Sequence, residues 1–198
     1  PLFAVQDIQV VGTRTLGATT VEKALDGQLG RPFPLIDSSE IKAALVRFPL
    51  VESYTLEARP PHELVVRIVE RTPVGAIKDA AGYTVVDAAG VALATTATPP
   101  AGEPIISVAG GVHSDAFQSV GAVMRALPAS IRDVVTAVSA TTPDDVTLRL
   151  GGTRTTVVWG SADQSAMKAE VLEQAMRAMP PSGGSQYDVS TPTSLVVR

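Results

Sequence analysis

Residues 12–19 have the composition of a phosphate-binding loop. Their glycines and closing threonine follow a predicted strand and precede a predicted helix, a setting in which backbone N–H groups can cradle phosphates. Ala18 stands where such loops carry the lysine that reaches the terminal phosphates, so the main charge contact with a nucleotide is missing. The sequence therefore favours a plain strand-to-helix turn in which the glycines supply backbone freedom.

A second segment, Ser165-Ala166-Met167-Lys168, matches the Ser-x-x-Lys pattern of penicillin-binding enzymes. Residues three apart on a helix share a face, where an amine can tune a serine nucleophile. The same pattern recurs at residues 39–42, and neither Ser-Asp-Asn nor Lys-Thr-Gly is present to complete such a site. We interpret the segment as exposed helical surface and keep a cell-wall enzyme using Ser165 and Lys168 as a third class of function.

The other side chains that could do chemistry are isolated from one another. His62 and His113 lie beside turn residues and lack the i, i+4 partner of a metal site, so solvated histidines are expected. Asp144 and Asp145 follow a proline and are interpreted as turn formers. Trp159, the only tryptophan, is expected in the core. We predict no catalytic residue, no metal site and no cofactor.

The composition indicates a folded protein that does not bind nucleic acid. Of 198 residues, 45% are hydrophobic and 18% are charged, which suffices for a packed core. The net charge is −4 and the 16 basic residues are scattered, so no basic stripe faces a phosphate backbone. Cysteine is absent, which excludes disulfides and thiolate chemistry but leaves the compartment open.

The start of the sequence carries a separate expectation. No apolar run approaches the roughly 18 to 20 residues that cross a bilayer, and no signal segment opens the chain. The first residue is Pro1 rather than methionine. We therefore expect an excerpt or processed product whose upstream segment can hold a membrane anchor.

The elements that must position these residues begin in the order strand, helix, helix, strand, strand. Thr19 or Thr20 is the expected cap of the first helix, and residues 37–40 provide capping side chains for the second, which Pro49 ends. A Pro60-Pro61 pair suits the connection between the last two strands. The three predicted strands span residues 3–11, 51–59 and 63–71.

Beyond Pro73 the sequence predicts short strands with two longer helices. The predicted strands span residues 74–77, 83–86, 91–93, 105–108, 134–140, 146–150, 155–159 and 194–198, and the helices span 114–127 and about 163–179. Apolar spacing assigns the core face of the first of these helices to Phe117, Val120, Met124 and Leu127. The same rule assigns the core face of the second to Met167, Val171, Leu172, Ala175 and Met179.

Several segments carry ordered motifs. The strand-helix-helix-strand-strand order, with Phe48-Pro49-Leu50-Val51 after the second helix, resembles a POTRA domain. Residues 64–74 fit the pattern Leu-x-Val/Ile-x-Ile/Val-x-Glu-Arg-x-Pro-Val, and residues 85–91 fit a Val-Asp-x-x-Gly turn. Further along, residues 157–160 precede a helix that contains Lys168, and residues 187–192 read Tyr-Asp-Val-Ser-Thr-Pro. In this order the segments resemble the FtsQ/DivIB family of bacterial cell-division proteins, and the last two resemble actinobacterial members in particular.

The positions that carry the motifs of residues 64–74 and 85–91 are Glu70, Arg71, Pro73, Asp87 and Gly90. For Glu70 and Arg71, an ion pair that braces the joint between domains is as well supported as a binding role.

The resemblance implies an α+β chain with an N-terminal POTRA domain (β-α-α-β-β) over residues 1–72. It is followed over residues 73–198 by a β domain of mostly antiparallel strands with two or more helices on one face. The implied protein is anchored in the cell membrane by one upstream helix, with this part outside the membrane and concentrated at the division septum. The implied partners are the FtsB and FtsL homologues, with FtsW, FtsI and FtsK homologues as further candidates.

The expected mechanism is strand addition, in which a terminal strand with an unpaired edge offers backbone groups to an extended partner segment. The predicted contact residues are Tyr187, Ser190, Thr191, Thr193, Ser194, Leu195, Val196, Val197 and Arg198. The alternative function is a POTRA-type protein of outer-envelope transport or assembly. Such arms usually carry tandem copies, whereas here one POTRA-like unit precedes unrelated strands.

Overall fold

The computed structural model describes residues 3–193 and 196–197. The chain divides into two compact units, Pro1–Arg71 and Thr72–Arg198. Each unit has its own β-sheet and its own cluster of buried apolar side chains. Within the described residues, no helix is both long and apolar enough to span a membrane.

The first unit is a three-stranded sheet with two helices. Its elements are β1 (Asp7–Val11), α1 (Ala18–Ala24), α2 (Ser38–Leu45), β2 (Val51–Arg59) and β3 (Glu63–Glu70). β3 is the central strand, parallel to β1 and antiparallel to β2. Val21, Ile41 and Leu45 pack from the helices onto the sheet and are buried. The predicted order of strand, helix, helix, strand, strand is confirmed.

Gly12, directly after β1, adopts a left-handed conformation with φ of 86°. A Cβ atom at this position would lie 2.2 Å from the carbonyl oxygen of Ile68 in β3, so only glycine fits. Because this glycine lets the chain turn tightly over β3, the loop that follows lies close to the end of that strand.

The helix starts were only partly predictable. The Asp37 carboxylate accepts hydrogen bonds from the backbone N–H groups of Ser39 and Glu40 at 2.9 and 3.1 Å, which confirms the predicted cap of α2. The predicted threonine cap of α1 was wrong. That helix begins after Gly17 with no side-chain cap. α2 also ends at Leu45, before the predicted stop at Pro49. Pro49 has no N–H to donate to the Leu45 carbonyl four residues earlier, and the N–H of Phe48 donates to that carbonyl instead.

The described residues of the second unit contain a nine-stranded mixed sheet. Its strands are β4 (Pro73–Asp79), β5 (Gly82–Asp87), β6 (Ala92–Thr96), β7 (Ile105–Val108), β8 (Val135–Ala140), β9 (Val146–Leu150), β10 (Thr155–Gly160), β11 (Gln186–Asp188) and β12 (Val196–Val197). Their spatial order is β12-β11-β10-β9-β8-β7-β4-β5-β6. Three neighbouring pairs are parallel and five are antiparallel. The predicted predominance of antiparallel pairing is confirmed.

Three helices cover the buried face of this sheet: α3 (Asp115–Ala126), α4 (Ala129–Arg132) and α5 (Ser165–Ala178). Strand residues such as Val138 and Leu148 are buried beneath the helices, whereas the alternating Ser139 and Arg149 are exposed on the other face. Ser114 caps α3 by accepting from the N–H of Phe117. The predicted core face of α3 is confirmed at all four positions, and Trp159 is fully buried as expected.

The predicted core face of α5 was partly wrong. Met167 and Met179 are each 48% exposed, whereas Lys168 and Ala169 are buried together with Leu172 and Ala175. The helix is therefore rotated so that its single lysine, rather than the adjacent methionine, faces the core. The apolar pattern failed because a lysine can be buried when its ammonium finds acceptors that the sequence does not reveal.

Candidate functional site

The candidate site lies at β12, the edge strand near the end of the sequence; β6 forms the opposite edge of the same sheet. β12 pairs antiparallel with β11, Val196 opposite Asp188 and Val197 opposite Tyr187. On the other side of β11, β10 runs parallel to it. Among the described strands, none pairs with the outer side of β12. This edge matches the position of the predicted terminal strand.

The hydrogen bonds of β11 show which backbone groups of β12 point outward. Val189 N–H donates to the Val158 carbonyl at 3.0 Å, and Thr156 N–H donates to the Ser185 carbonyl at 3.0 Å. Ser185 and Val189, which flank β11, therefore direct these backbone groups at β10, as does Tyr187 between them, and Asp188 directs its groups at β12. Asp188 and Val196 form the hydrogen-bonded pair, so the N–H and C=O of Val197 point to the open edge.

The side chains at this edge face two environments. Tyr187 is fully buried, and its hydroxyl donates to the Met179 carbonyl oxygen. Burial raises the pKa of this phenol. Val197, opposite Tyr187, is partly buried against the same core, whereas Val196 is 39% exposed on the other face. Tyr187, predicted as a contact residue, is thus a core residue whose side chain presents no surface.

The segment between β11 and β12 holds the other predicted contact residues. Ser190, Thr191 and Thr193 are exposed. Ser190 donates from its N–H and its hydroxyl to the Asp188 carboxylate, at 3.0 and 2.7 Å, which forms a local turn. In the sequence, these three exposed residues come shortly before the edge strand β12. The predicted contact residues Ser194, Leu195 and Arg198 lie outside the described residues.

Lys168 is a residue whose role the sequence did not reveal. Its ammonium donates to the carbonyls of Trp159 at 3.1 Å and Ser161 at 2.8 Å. Burial lowers the pKa of Lys168, and the nearby Asp163 carboxylate opposes that shift. Ser165 accepts a hydrogen bond from the indole Nε1 of Trp159 at 3.1 Å and donates to the Ala162 carbonyl at 2.7 Å.

The exposed-surface interpretation of the Ser-x-x-Lys segment was therefore wrong, since Ser165 is 9% exposed and Lys168 is 1% exposed. Both polar groups hold the turn that precedes α5. A signal was present in the sequence. Lys168 lies at helical spacing with Leu172 and Ala175, which places its stem on the apolar stripe.

The loop that resembles a phosphate-binding loop does hold an anionic group, and that group is Glu70. The Glu70 carboxylate accepts from the N–H groups of Arg14 at 2.8 Å, Thr15 at 3.0 and 3.1 Å, and Leu16 at 2.8 Å. Three consecutive N–H groups make an anion-binding concavity, here filled by the side chain that ends β3. The interpretation of these residues as a strand-to-helix turn is confirmed. The group that occupies the concavity is Glu70, which belongs to the same unit as the turn.

The other motif positions form backbone structure around β4 and β5. The Asp87 carboxylate accepts from the N–H groups of Ala89 at 2.9 Å and Val91 at 2.8 Å, and Gly90 N–H donates to the Asp87 carbonyl. Pro73 opens β4 opposite Asp87. In the first unit, Arg71 N–H donates to the Leu50 carbonyl. A role of these residues at the joint between domains stays a prediction.

The remaining polar candidates have local roles. Nδ1 of His62 lies 2.9 Å from the Ala4 carbonyl oxygen. The Asp145 carboxylate binds the hydroxyl and N–H of Thr141 and the N–H of Thr142, and these hydrogen bonds lower its pKa. The predicted turn is therefore present. Among the residues that the structure describes, no group of three His, Cys, Asp or Glu side chains is arranged to hold a metal ion.

Comparison with known proteins bears on both units. Residues 3–71 match the family model described as "POTRA domain, FtsQ-type". The chain is similar to the cell division protein FtsQ of Streptomyces venezuelae, at 33% identity over 97% of this chain and 73% of that relative. FtsQ of Streptomyces collinus is 30% identical over 94% of this chain and 75% of its own length. FtsQ of Mycobacterium leprae is 34% identical over the whole chain and 57% of that relative.

Proposed function

The chain belongs to the FtsQ family of cell division proteins, and on that premise we propose that it is a non-catalytic scaffold of the bacterial division machinery. It binds other division proteins by strand addition at the outer edge of β12. The observation that carries this proposal is the outward direction of the Val197 N–H and C=O groups at an edge that no described strand covers. An extended segment of a partner can pair with these groups as a further strand.

The proposed partners are the FtsB and FtsL homologues, with FtsW, FtsI and FtsK homologues as further candidates. Through them the chain helps to regulate septal peptidoglycan synthesis. The proposed location is outside the cytoplasmic membrane at the division septum, with one membrane helix upstream of this chain. The resemblance to the family supports these partners and this location.

Affinity and specificity have different sources in this mechanism. Backbone hydrogen bonds to Val197 contribute affinity that does not depend on the side chains of the partner. The exposed side chains of Ser190, Thr191, Thr193 and Val196 supply selectivity, because they lie on the loop and strand that a partner must approach. Tyr187 is withdrawn from the proposed contact set, since its side chain lies in the core.

Two features favour a scaffold over the rival functions. Ser165 and Lys168 are buried and hydrogen bonded to the turn before α5, which leaves neither poised as an acylating group. A labelled β-lactam is expected to leave the chain unmodified, and acylation of Ser165 would instead support the cell-wall enzyme. The family model for a POTRA domain matches residues 3–71, and the second unit is a nine-stranded sheet, which differs from a tandem arm of an assembly factor.

The strand-addition proposal is tested by Val197→Pro, with Val197→Ala as its matched control. Proline removes the outward N–H and is tolerated on an edge strand, whereas alanine keeps the N–H and trims the same side chain. Binding to the extracytoplasmic segment of the FtsB homologue from the same organism is measured by calorimetry. We expect Val197→Pro to weaken affinity by about tenfold or more, and Val197→Ala to weaken it by less than about threefold.

Val196→Pro serves as the internal comparison. Because the Val196 N–H faces β11, proline there detaches β12 and should raise hydrogen exchange at Asp188 as well as weaken binding. Unchanged affinity in Val197→Pro, with an unchanged circular dichroism spectrum, would exclude strand addition at this edge.

A further inference from the structure

The position of Lys168 calls for a physical explanation, because a buried ammonium is costly unless acceptors replace its water. Its acceptors are the carbonyls of Trp159 and Ser161, which flank Gly160 at the end of β10. The Lys168 ammonium thus binds one backbone turn, the turn at Gly160. An apolar side chain of the same length would fill the space but leave both carbonyls without this donor.

That turn is conformationally demanding. Gly160 has φ of 77° and Gln164 has φ of 56°, so two residues within five adopt the left-handed conformation. Three carbonyls around the turn are held by side chains of α5. Lys168 binds those of Trp159 and Ser161, and Ser165 binds that of Ala162. The first turn of α5 is therefore hydrogen bonded to the backbone of this turn through two side chains, those of Ser165 and Lys168.

The same turn supports the chain where it leaves β11. A Cβ atom at Gly160 would lie 3.0 Å from the Cβ of Ser190, so the backbone at Ser190 lies directly against this glycine. Val189 N–H donates to the Val158 carbonyl one residue before Trp159. Residues 158–160 thus form a seat for residues 189–190, after which the chain continues to the edge strand β12.

We propose that Lys168 is a positioning residue for the partner-binding edge. Its ammonium fixes the Gly160 turn, the turn seats Ser190, and this seat sets the direction in which the chain leaves β11 for β12. The consequence for binding rests on the proposed function, whereas the consequence for the order of β12 does not. The essential property is the donor group at the end of the side chain rather than its bulk.

The absence of cysteine allows that property to be isolated. Lys168→Cys introduces a single thiol, which is alkylated in the unfolded chain before refolding. With 2-bromoethylamine the sulfur displaces bromide and gives a side chain of lysine's length that ends in an ammonium. With 1-bromopropane it gives a side chain of the same length that ends in a methyl group. Lys78→Cys, at an exposed lysine of the same unit, receives the same two reagents as the matched control.

Two measurements are made on each refolded chain. Amide hydrogen exchange at Val196 reports whether β12 stays paired with Asp188, and calorimetry reports affinity for the extracytoplasmic segment of the FtsB homologue. For the aminoethyl chain we expect both values within about twofold of the unsubstituted chain. For the propyl chain we expect exchange and dissociation constant each to rise by about tenfold or more. The two Lys78→Cys adducts should not differ.

Equal behaviour of the two Lys168→Cys adducts in both measurements would overturn the proposal, since bulk alone would then suffice. A propyl chain that fails to refold while the aminoethyl chain folds would also overturn it, because Lys168 would then serve the fold generally. If the unsubstituted chain does not bind the FtsB segment, the proposed function fails and exchange at Val196 still decides the role of Lys168. Fluorescence of Trp159, the only tryptophan, checks the fold around the turn in every sample.

Discussion

The Glu70 carboxylate accepts two hydrogen bonds from the backbone N–H of Thr15, at 3.0 and 3.1 Å, although the two residues are 55 positions apart in the sequence. Together with the bonds from Arg14 and Leu16, this contact ties the loop after β1 to the end of β3. Glu70 therefore has a structural role inside the first unit.

Glu70→Gln should destabilise the first unit. A glutamine keeps one acceptor oxygen but turns an NH₂ group toward N–H donors and removes the charge that three of them share. We expect a loss of about 1–3 kcal/mol in the free energy of unfolding, measured by denaturant titration. Glu52→Gln, at an exposed carboxylate of the same unit, should change it by less than about 0.5 kcal/mol. Equal effects of the two substitutions would contradict the assigned role.

The same contact predicts how acid affects the first unit. Burial acts to raise the pKa of Glu70, but the N–H groups of Thr15, Arg14 and Leu16 outweigh it, so the pKa is lowered. A lowered pKa in the folded chain means that the unfolded chain binds the proton more readily. The ionised Glu70 carboxylate therefore stabilises the fold fully at pH values above the pKa of an unfolded glutamate, about 4.3. This stabilisation is lost as the pH falls through the pKa of Glu70 in the folded chain.

Hydrogen exchange at the amides of Arg14, Thr15 and Leu16 measures this acid effect directly. After correction for the intrinsic exchange rate at each pH, their protection should fall as Glu70 is protonated. In Glu70→Gln the protection should be low at neutral pH and should lack this acid step. An acid step of the same size in both chains would assign the effect to another carboxylate.

Gly160→Ala should disturb the seat beneath Ser190. The residue has φ of 77°, and a Cβ there would meet the Ser190 Cβ at 3.0 Å, which is tighter than ordinary contact. We expect a loss of about 1–2 kcal/mol of stability and faster exchange at Val196, measured by denaturation and by hydrogen exchange. Gly183→Ala, where no atom lies within 4 Å of the added Cβ, should be nearly neutral. Normal exchange at Val196 in Gly160→Ala would mean that this seat does not govern β12.

Tyr187→Phe should separate core packing from partner contact. The hydroxyl donates to the Met179 carbonyl in a buried site, so its removal should cost about 0.5–1.5 kcal/mol of stability. Affinity for the FtsB segment should stay within about twofold, since the phenol has no exposed surface. Thr191→Ala, at an exposed hydroxyl, should show the opposite pattern of unchanged stability and weaker binding. A large affinity loss in Tyr187→Phe at unchanged stability would return Tyr187 to the contact set.

The sequence by itself determined the features that depend on neighbouring residues. The alternation of side chains predicted β2 at residues 51–59 and β9 at residues 146–150, which the structure reproduces. Asp37 was identifiable as a helix cap because a cap bonds to backbone groups only two or three residues away. The ordered motifs likewise indicated the family, because each of them is a continuous stretch of sequence.

Only the tertiary structure decided which distant groups meet. Glu70 finds its donors 54–56 residues away, and nothing in its local pattern distinguishes that carboxylate from a solvated one. Lys168 was expected on the surface because its acceptors exist only once β10 and α5 are folded together. The outward direction of Val197 follows from the parallel pairing of β11 with β10. Long-range packing decides which strands pair and in which register. The sequence alone therefore could not show that the backbone N–H and C=O of Val197 point away from the sheet.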